Sequence, residues 1–164
     1  MPFDNNIIEA KTISDAWRDA MWACVRNGYD YKIEGGSYIG QIRRQLDYVV
    51  IRITEPWTRP LAAQTPEGSG IPSPTSDESI EEYFMQYIIG NEKADNEVYT
   101  YSEYITQQLD EAIDILNKSK GNSNQASIFV GEPKLIYEND PPCLRNISFK
   151  VVNGKLNMTV YFRS

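Results

Sequence analysis

The chain has 164 residues, 41% hydrophobic and 24% charged, which predicts a single domain over residues 1–164 with a sizeable core. Its formal charge of −7 at pH 7 argues against nucleic acid as a partner, because proteins that bind nucleic acid carry basic faces that neutralise phosphates. Histidine is absent, which removes the commonest metal ligand and the usual base near neutral pH, so we expect no metal and no histidine-based triad.

The first predicted element is a helix that runs from Thr12 or Ser14 to Arg26 and stops at Gly28. Its apolar residues recur at helical spacing: Ile13, Trp17, Met21, Cys24 and Val25. This pattern predicts a helix that faces the core, and it favours a packing role for Cys24 over a reactive thiol.

Alternating apolar side chains over residues 46–54 then predict a strand. The proline-rich residues 55–76 show little periodicity and predict a long surface loop, a kind of segment that is often functional. Two further helices are predicted beyond this loop, one over residues 76–90 and one over residues 102–121, each ended by a glycine.

The last part of the chain reads as strands. They are predicted over residues 126–130 and 134–137, and in a hairpin after Cys143. The pair Asn153-Gly154 is typical of a type I′ turn, whose two central positions need positive φ, and it sets Val152 opposite Lys155. Helices segregated from such strands predict an α+β fold, a mixed and largely antiparallel sheet with packed helices.

Cys143 is a candidate nucleophile at the start of this hairpin. Two prolines stiffen the chain before it, and an arginine beside a thiolate would favour the ionised form and hold an anionic substrate. Arg163 is the obvious partner, but the ideal register puts it opposite Leu144, with its side chain on the face away from Cys143. The pairing therefore requires a β-bulge. The alternative is a buried cysteine at a strand end.

The cysteines and the start of the chain indicate the compartment. Cys24 and Cys143 lie far apart in sequence, which excludes a disulfide scaffold and fits a reducing environment. No apolar run approaches the roughly 20 residues that cross a bilayer, and the first residues lack the pattern of a signal peptide. We expect a cytoplasmic protein with no membrane partner.

The region around Cys143 resembles the active-site region of the thymidylate synthase family. The similarity covers Pro141–Cys143, Gly154–Leu156 and Tyr161–Ser164, with twenty positions from the cysteine to the arginine. Upstream, Tyr99–Ser102 resembles the tyrosine-containing stretch before the long helix of the family. The Cys143-Leu144 pair and the loop Arg59–Leu61 resemble the archaeal-type branch.

The resemblance implies C5 methylation of dUMP to dTMP, with 5,10-methylenetetrahydrofolate supplying the carbon and the hydride as co-substrate. It implies that Cys143 adds to C6 of the uracil and that Arg163 binds the nucleotide phosphate. Either Arg43 or Arg44 would be a second phosphate ligand. For each of these two, the alternative is a solvated arginine at a strand edge.

The resemblance also points to other site residues. Tyr101 would lie near the folate and its water network, unless it is simply an aromatic residue packed at a helix start. Glu82 is the carboxylate nearest to the family's helix glutamate, although Tyr83 aligns there, and its alternative is a solvated helix face. Asn124 and Gln125 fall where most members carry paired arginines that reach the phosphate of the dimer partner. We therefore expect a homodimer that packs through its sheet.

The residues with which the family reads the pyrimidine and contacts the sugar would follow Ser164, so we expect the C-terminal part of the fold to be missing from this chain. Two alternatives to the methyltransferase stay open. One is a pyrimidine-nucleotide hydroxymethylase of the same family, which ends with water instead of hydride. The other is a truncated, non-catalytic module that binds a nucleotide.

Overall fold

The computed structural model describes residues 6–90, 93 and 97–163. The chain divides into two compact units, Met1–Glu82 and Tyr83–Ser164. Their helices and mainly antiparallel strand pairs confirm the predicted α+β class. The single domain inferred from length and composition stays a prediction. Within the described ranges, no helix is long and apolar enough to span a bilayer.

The first unit holds one long helix and two pairs of short strands. Its elements are β1 (Ile7–Ala10), α1 (Ile13–Asn27), β2 (Tyr29–Lys32), β3 (Ile42–Gln45) and β4 (Val50–Ile53). Strand β1 pairs with β4 in parallel, and β2 pairs with β3 antiparallel. The strand predicted over residues 46–54 is thus confined to its second half, and residues 55–76 hold no helix or strand, as predicted.

Helix α1 confirms the predicted helix but not its predicted buried face. The Thr12 side chain accepts a hydrogen bond from the Asp15 amide at its start, and Gly28 follows its end. Ala16 is the helix residue that is buried, in a cluster with Ile8 and Ala10 of β1. The larger apolar residues Met21 and Val25 are exposed. Small side chains let the helix approach the two-stranded sheet closely, which the apolar spacing alone does not reveal.

The second unit carries the hairpin and three helical segments before it. After α2 (Asp77–Tyr83), which ends at the unit boundary, its elements are a π-helical turn (Phe84–Ile89), α3 (Ser102–Lys118), β5 (Ser127–Phe129), a 3₁₀ helix (Pro133–Tyr137), β6 (Leu144–Val152) and β7 (Lys155–Phe162). Strand β6 lies between β5 and β7, antiparallel to both. The two predicted helices and the first and last strands are confirmed.

The strand predicted over residues 134–137 is wrong, because Pro133–Tyr137 forms a 3₁₀ helix. Proline at its first position fixes φ in the helical range and lacks the N–H that a strand would use in a sheet. The amide of Glu138 then donates to the carbonyl of Leu135, which closes the turn. Leu135 is buried, so the apolar residues here anchor a turn rather than a strand.

The hairpin follows the predicted register over most of its length. Asn153 and Gly154 have φ of 52° and 72°, as a type I′ turn requires. Val152 pairs with Lys155, and Ile147 pairs with Val160. The turn chemistry therefore sets which side chains share a face.

Helix α3 packs on β5 and β6 and closes the core of the second unit. That core contains these buried residues: Tyr101, Ile105, Ala112, Ile128, Val130 and Leu144. The Gln108 side chain bonds both the carbonyl and the amide of Phe129, at 2.8 and 3.1 Å. A side-chain amide thus satisfies the main chain of the edge strand β5, which fixes the helix against the sheet.

Gly121 joins the end of α3 to the hairpin. It has φ of +80°, its amide donates to Leu116, and its carbonyl accepts from the amide of Val151 at 3.3 Å. A Cβ at this position would meet the Cβ of Val151 at 2.4 Å. Only glycine meets both the conformational and the steric requirement here.

We expect Gly121→Ala to destabilise the protein more than Gly154→Ala, which also has positive φ but open space around it. The left-handed conformation costs alanine about 1–2 kcal/mol at either position. The contact with Val151 adds about 1–3 kcal/mol at position 121 only. Urea unfolding of both variants measures the difference, and equal losses would show that the contact is not limiting.

Candidate active site

The site is built at the base of the hairpin, where the register shifts by one residue. Asn146 pairs with Tyr161, but Leu144 pairs with Phe162, so Arg145 is the extra residue of a β-bulge. Its carbonyl accepts from the amide of Val130 at 3.0 Å, which keeps the bulge tied to the segment after β5. This is the bulge that the Cys143 and Arg163 pairing requires.

Cys143 lies between two buried residues. Pro142 is fully buried and Leu144 is buried in the core, while Cys143 itself is half-buried with a free thiol. The amide of Arg163 donates to the carbonyl of Cys143 at 2.9 Å. The thiol is therefore held on a rigid stretch of main chain, and the arginine is its immediate cross-strand neighbour.

The Arg163 guanidinium reaches back over the proline pair. Its Nη2 donates to Oδ1 of Asp140 at 3.2 Å and to the carbonyl of Pro141. Its Nε is buried and has no hydrogen-bond partner among the described residues. The side chain is 37% exposed, so the cation lies at the surface with part of its donor set filled by its own chain.

A cleft of about 480 Å³ lies next to the ion pair of Arg163 with Asp140, because Asp140 is one of its lining residues, and we refer to it as the tyrosine cleft. It is lined by Tyr83, Tyr87, Glu97, Val98, Tyr99, Tyr101, Glu138, Asn139 and Asp140. Tyr83 stacks on Tyr87 with ring centroids 4.6 Å apart, and Tyr99 lies 5.7 Å from Tyr101. The walls are thus aromatic, and carboxylates stand among them.

Two local structures bring these tyrosines together. Tyr83 and Tyr87 come from the junction of α2 with the π-helical turn, and π-helical turns often occur at functional sites. The Ser102 hydroxyl, which is fully buried, donates to the carbonyl of Gly90 and lies 2.9 Å from the Thr100 hydroxyl. This network ties the end of the turn to the start of α3, so Tyr99 and Tyr101 meet the other pair.

Burial and neighbouring groups keep two of the phenols protonated. Burial first, and then Tyr101, raise the pKa of Tyr83 to about 12, although 49% of that residue is exposed. The same causes raise the pKa of Tyr99, with a smaller part from Asp140. Cys143 also contributes to the raised pKa of both phenols, as a smaller cause than burial and Tyr101.

The other residues predicted for the site lie elsewhere. Glu82 is exposed on α2 and does not line the tyrosine cleft, whereas its neighbour Tyr83 does. Asn124 and Gln125 are exposed in the loop before β5. Tyr101 is buried in the core of the second unit and also lines the cleft.

Arg43 and Arg44 lie on β3 in the first unit. The Arg44 guanidinium donates to the carbonyl of Gly28 at 3.2 Å and lies 3.7 Å from the Asp30 carboxylate. The Arg43 guanidinium lies over the Tyr38 ring, 5.8 Å from its centre, and pairs with no carboxylate within the described part of the chain. The structure thus distinguishes two arginines that the sequence does not.

Tyr83, Tyr87, Tyr99 and Asp140 line the cleft but are not among the site residues predicted from the sequence. The sequence signal for Tyr83 and Tyr99 is the family resemblance, in which Tyr83 aligns with a helix glutamate and Tyr99 begins the stretch before the long helix. The signal for Tyr87 is its spacing of four positions from Tyr83. Tyr87 lies on the predicted apolar helix face, where an aromatic residue is ordinarily a core residue. Asp140 stands before two prolines without any pattern that marks a role.

Curated archaeal proteins named "Putative thymidylate synthase" are similar to this chain over nearly its whole length. The protein from Methanosarcina barkeri is 30% identical over 164 residues, which cover 96% of this chain and 70% of the relative. The chain belongs to the thymidylate synthase family. Membership is of the archaeal type, as the Methanosarcina acetivorans protein, 31% identical over 166 residues, also shows.

The thymidylate synthase relatives extend beyond one genus. The Methanothermobacter thermautotrophicus protein of the same name is 26% identical over 173 residues, covering 96% of this chain and 73% of the relative. No family model matches the chain, and no solved structure matches it significantly. Family membership therefore rests on the curated relatives, and it agrees with the resemblance at Pro141–Cys143.

We expect the protein to lose stability between pH 10 and 12, in part through Tyr83. The unfolded chain releases this proton near pH 10, whereas the folded protein retains it to about 12, so rising pH favours unfolding. Tyr83→Phe should make the fall shallower in urea unfolding at pH 9, 10 and 11. Tyr137→Phe, which removes an exposed phenol outside the cleft, should leave the slope unchanged. An unaltered slope in Tyr83→Phe would contradict the shift.

Proposed function

We propose that the protein is a thymidylate synthase-type methyltransferase that converts dUMP to dTMP with 5,10-methylenetetrahydrofolate. The observation that carries this proposal is the bulge that makes Arg163 the cross-strand neighbour of Cys143. A nucleophile next to a phosphate ligand is what a covalent reaction on a nucleotide needs. Membership of the family supports the same reaction.

Cys143 would act as the nucleophile. Its thiolate forms a bond to C6 of the uracil, the C5–C6 double bond breaks, and the electron pair moves towards the C4 carbonyl oxygen. C5 then carries the nucleophilic character that methylation requires. After C5 has taken up the carbon, C5 loses its own proton to water, the C5–C6 double bond forms again as the C6–sulfur bond breaks, and the thiolate is regenerated. The buried neighbours Pro142 and Leu144 hold the sulfur in place through these steps.

Arg163 would hold the nucleotide phosphate. A guanidinium presents parallel N–H groups that match two phosphate oxygens. Its main-chain bond to Cys143 fixes the separation between the anion site and the nucleophile. Orienting the substrate in this way converts encounter into a reaction within one complex.

The tyrosine cleft fits the ring system of the folate. Its volume of about 480 Å³ and its four tyrosines suit a flat heterocycle, and the carboxylates of Glu138 and Asp140 suit ring N–H groups. When bound, methylenetetrahydrofolate supplies the one-carbon unit and the hydride. The tyrosine rings would cover the reacting face, and we expect no metal in the reaction.

Tyr101 and its neighbouring tyrosines would form the hydrogen-bond network along which protons move beside the cleft. A phenol is already protonated near neutral pH, and the raised pKa values of Tyr83 and Tyr99 make ionisation less favourable still, so both would donate hydrogen bonds rather than act as bases. Tyr101, which contacts Tyr99 and Tyr87, is the shared centre of this group. We propose that Tyr83 takes the place predicted for Glu82, because Tyr83 lines the cleft and Glu82 does not.

We also propose a homodimer that packs through the sheet. Asn157, Thr159 and Tyr161 form an exposed polar face on β7, next to Ser148 and Asn146, whose side chains hydrogen-bond to each other. Asn124 and Gln125 are exposed and can offer hydrogen bonds to a phosphate of the partner, without charge.

Replacing Cys143 by serine should abolish a covalent complex with 5-fluoro-dUMP and the folate. The wild-type protein should give this complex, detected as added mass on the denatured chain, because only a thiolate at C6 forms it. The matched control is Cys24→Ser, which removes the other thiol and should keep the complex. A complex that survives in the Cys143 variant would exclude the proposed nucleophile.

The absorbance of the folate separates methylation from hydroxymethylation in the same assay. Transfer of the hydride leaves dihydrofolate, which absorbs in the near ultraviolet, whereas addition of water does not oxidise the folate. A rise during turnover of dUMP supports the methyltransferase. Product without a rise would assign the protein as a hydroxymethylase. Nucleotide binding without a product would favour the third interpretation, a non-catalytic module that binds a nucleotide.

Arg43 rather than Arg44 should be the second phosphate ligand. Arg44 already serves Gly28 and Asp30, so Arg44→Gln should lower stability and change dUMP affinity little. Arg43→Gln should weaken dUMP binding about tenfold, the loss expected for one charged hydrogen bond. Titration of dUMP and of deoxyuridine measures this, since the nucleoside lacks the phosphate and should bind both variants equally. The reverse order of effects would assign the role to Arg44.

A further inference from the structure

Asp140 occupies the anion-binding face of Arg163. The Asp140 carboxylate accepts from Nη2 at 3.2 Å, and the Pro141 carbonyl accepts from the same nitrogen. A guanidinium has two edges that offer parallel N–H groups, one formed by Nε with Nη2 and the other by Nη1 with Nη2. Nη2 belongs to both edges. A phosphate that binds either edge must therefore share or take over a donor that the chain now uses.

The two acceptors on Nη2 differ in how readily they leave. The Pro141 carbonyl belongs to a proline pair whose second member is fully buried, so it is fixed by the main chain. The Asp140 side chain is 78% exposed, and rotation of its own bonds removes it from Arg163. The exposed ion pair is weak, because water screens both charges. Asp140 is thus the acceptor that an incoming anion displaces.

We propose that Asp140 is a built-in competitor that sets the affinity of Arg163 for phosphate. The inference rests on the proposed function, in which Arg163 binds the nucleotide phosphate. While the site is empty, the carboxylate keeps the guanidinium oriented and its charge neutralised. A phosphate carries more negative charge than the carboxylate and presents two of its oxygens to the guanidinium, so it replaces Asp140. The released carboxylate stays at the tyrosine cleft, which it lines.

If Asp140 competes with phosphate, Asp140→Asn should raise the affinity of Arg163 for phosphate. If Asp140 only orients Arg163, the same change should lower that affinity. Asparagine keeps the shape and loses the charge, so the phosphate no longer displaces an anion. The gain in affinity should be about two- to fivefold, the range of an exposed ion pair. A residue whose role is only to orient Arg163 would weaken binding when changed.

The experiment is a titration of inorganic phosphate, dUMP and deoxyuridine into the protein and its variants. Asp140→Asn should bind phosphate and dUMP more tightly and deoxyuridine unchanged. The gain in affinity should vanish in the Arg163→Gln background, because the guanidinium for which Asp140 and phosphate compete is absent there. The matched control is Asp114→Asn on α3, which removes an exposed carboxylate paired with Lys118 and should leave all three affinities unchanged. Circular dichroism confirms that each variant is folded.

The outcomes separate this inference from the proposed function. If the wild type binds dUMP through Arg163 but Asp140→Asn gives unchanged or weaker binding, the competitor role is overturned and the proposed function stands. If phosphate binding tightens in Asp140→Asn while dUMP does not bind, the competitor role stands and the proposed substrate fails. If no anion binds to the wild type or to Asp140→Asn, Arg163 is not an anion site and both are overturned.

Discussion

One extra residue in β6 sets the geometry on which the candidate site depends. A type I′ turn imposes strict alternation on both strands, and this alternation carried to the base of the hairpin would turn Arg163 away from Cys143. The bulge at Arg145 interrupts it after most of the ladder has formed. Because the amide of Val130 donates to the carbonyl of Arg145, the interruption leaves no unpaired carbonyl at that residue. Arg163 and Cys143 are therefore neighbours along the main chain of the two strands.

Residues at the base of the hairpin contribute both to the packed core and to the candidate site. Pro142 and Leu144 are buried on either side of Cys143, so the chain around the proposed nucleophile is held by buried neighbours. The tyrosine cleft is likewise an extension of that core, since Tyr101 belongs to both. Aromatic residues serve both purposes because their rings pack against apolar groups while their hydroxyls reach polar partners. A site built this way is preorganised, and changes in it are felt in folding as well as in binding.

Arg163 of the candidate site has an acidic neighbour that balances its charge. Asp140 neutralises Arg163 on one side and lines the cleft on the other. In the first unit, Asp30 holds Arg44 in the same manner, while Arg43 rests on an aromatic ring. In a chain with net charge −7, acidic partners for arginines are abundant. An arginine without such a partner among the described residues, such as Arg43, is therefore a candidate for binding an anionic ligand.

The sequence by itself determined the local features of this protein, and also the family to which it belongs. The hairpin, its register, the long helices and the positions of Cys143 and Arg163 follow from turn chemistry, helix-ending glycines and a motif, all of which act over a few residues. The sequence also showed that a bulge was needed if the cysteine and arginine were to meet.

Tertiary structure decided what depends on residues far apart in the chain. Packing between distant segments decides the bulge location, the alanine face of α1 and the gathering of four tyrosines. So does the difference between Arg43 and Arg44, which are identical side chains until Asp30 pairs with one of them. Spacing predicts which face a residue shares, but only the packed chain determines what lies opposite that face.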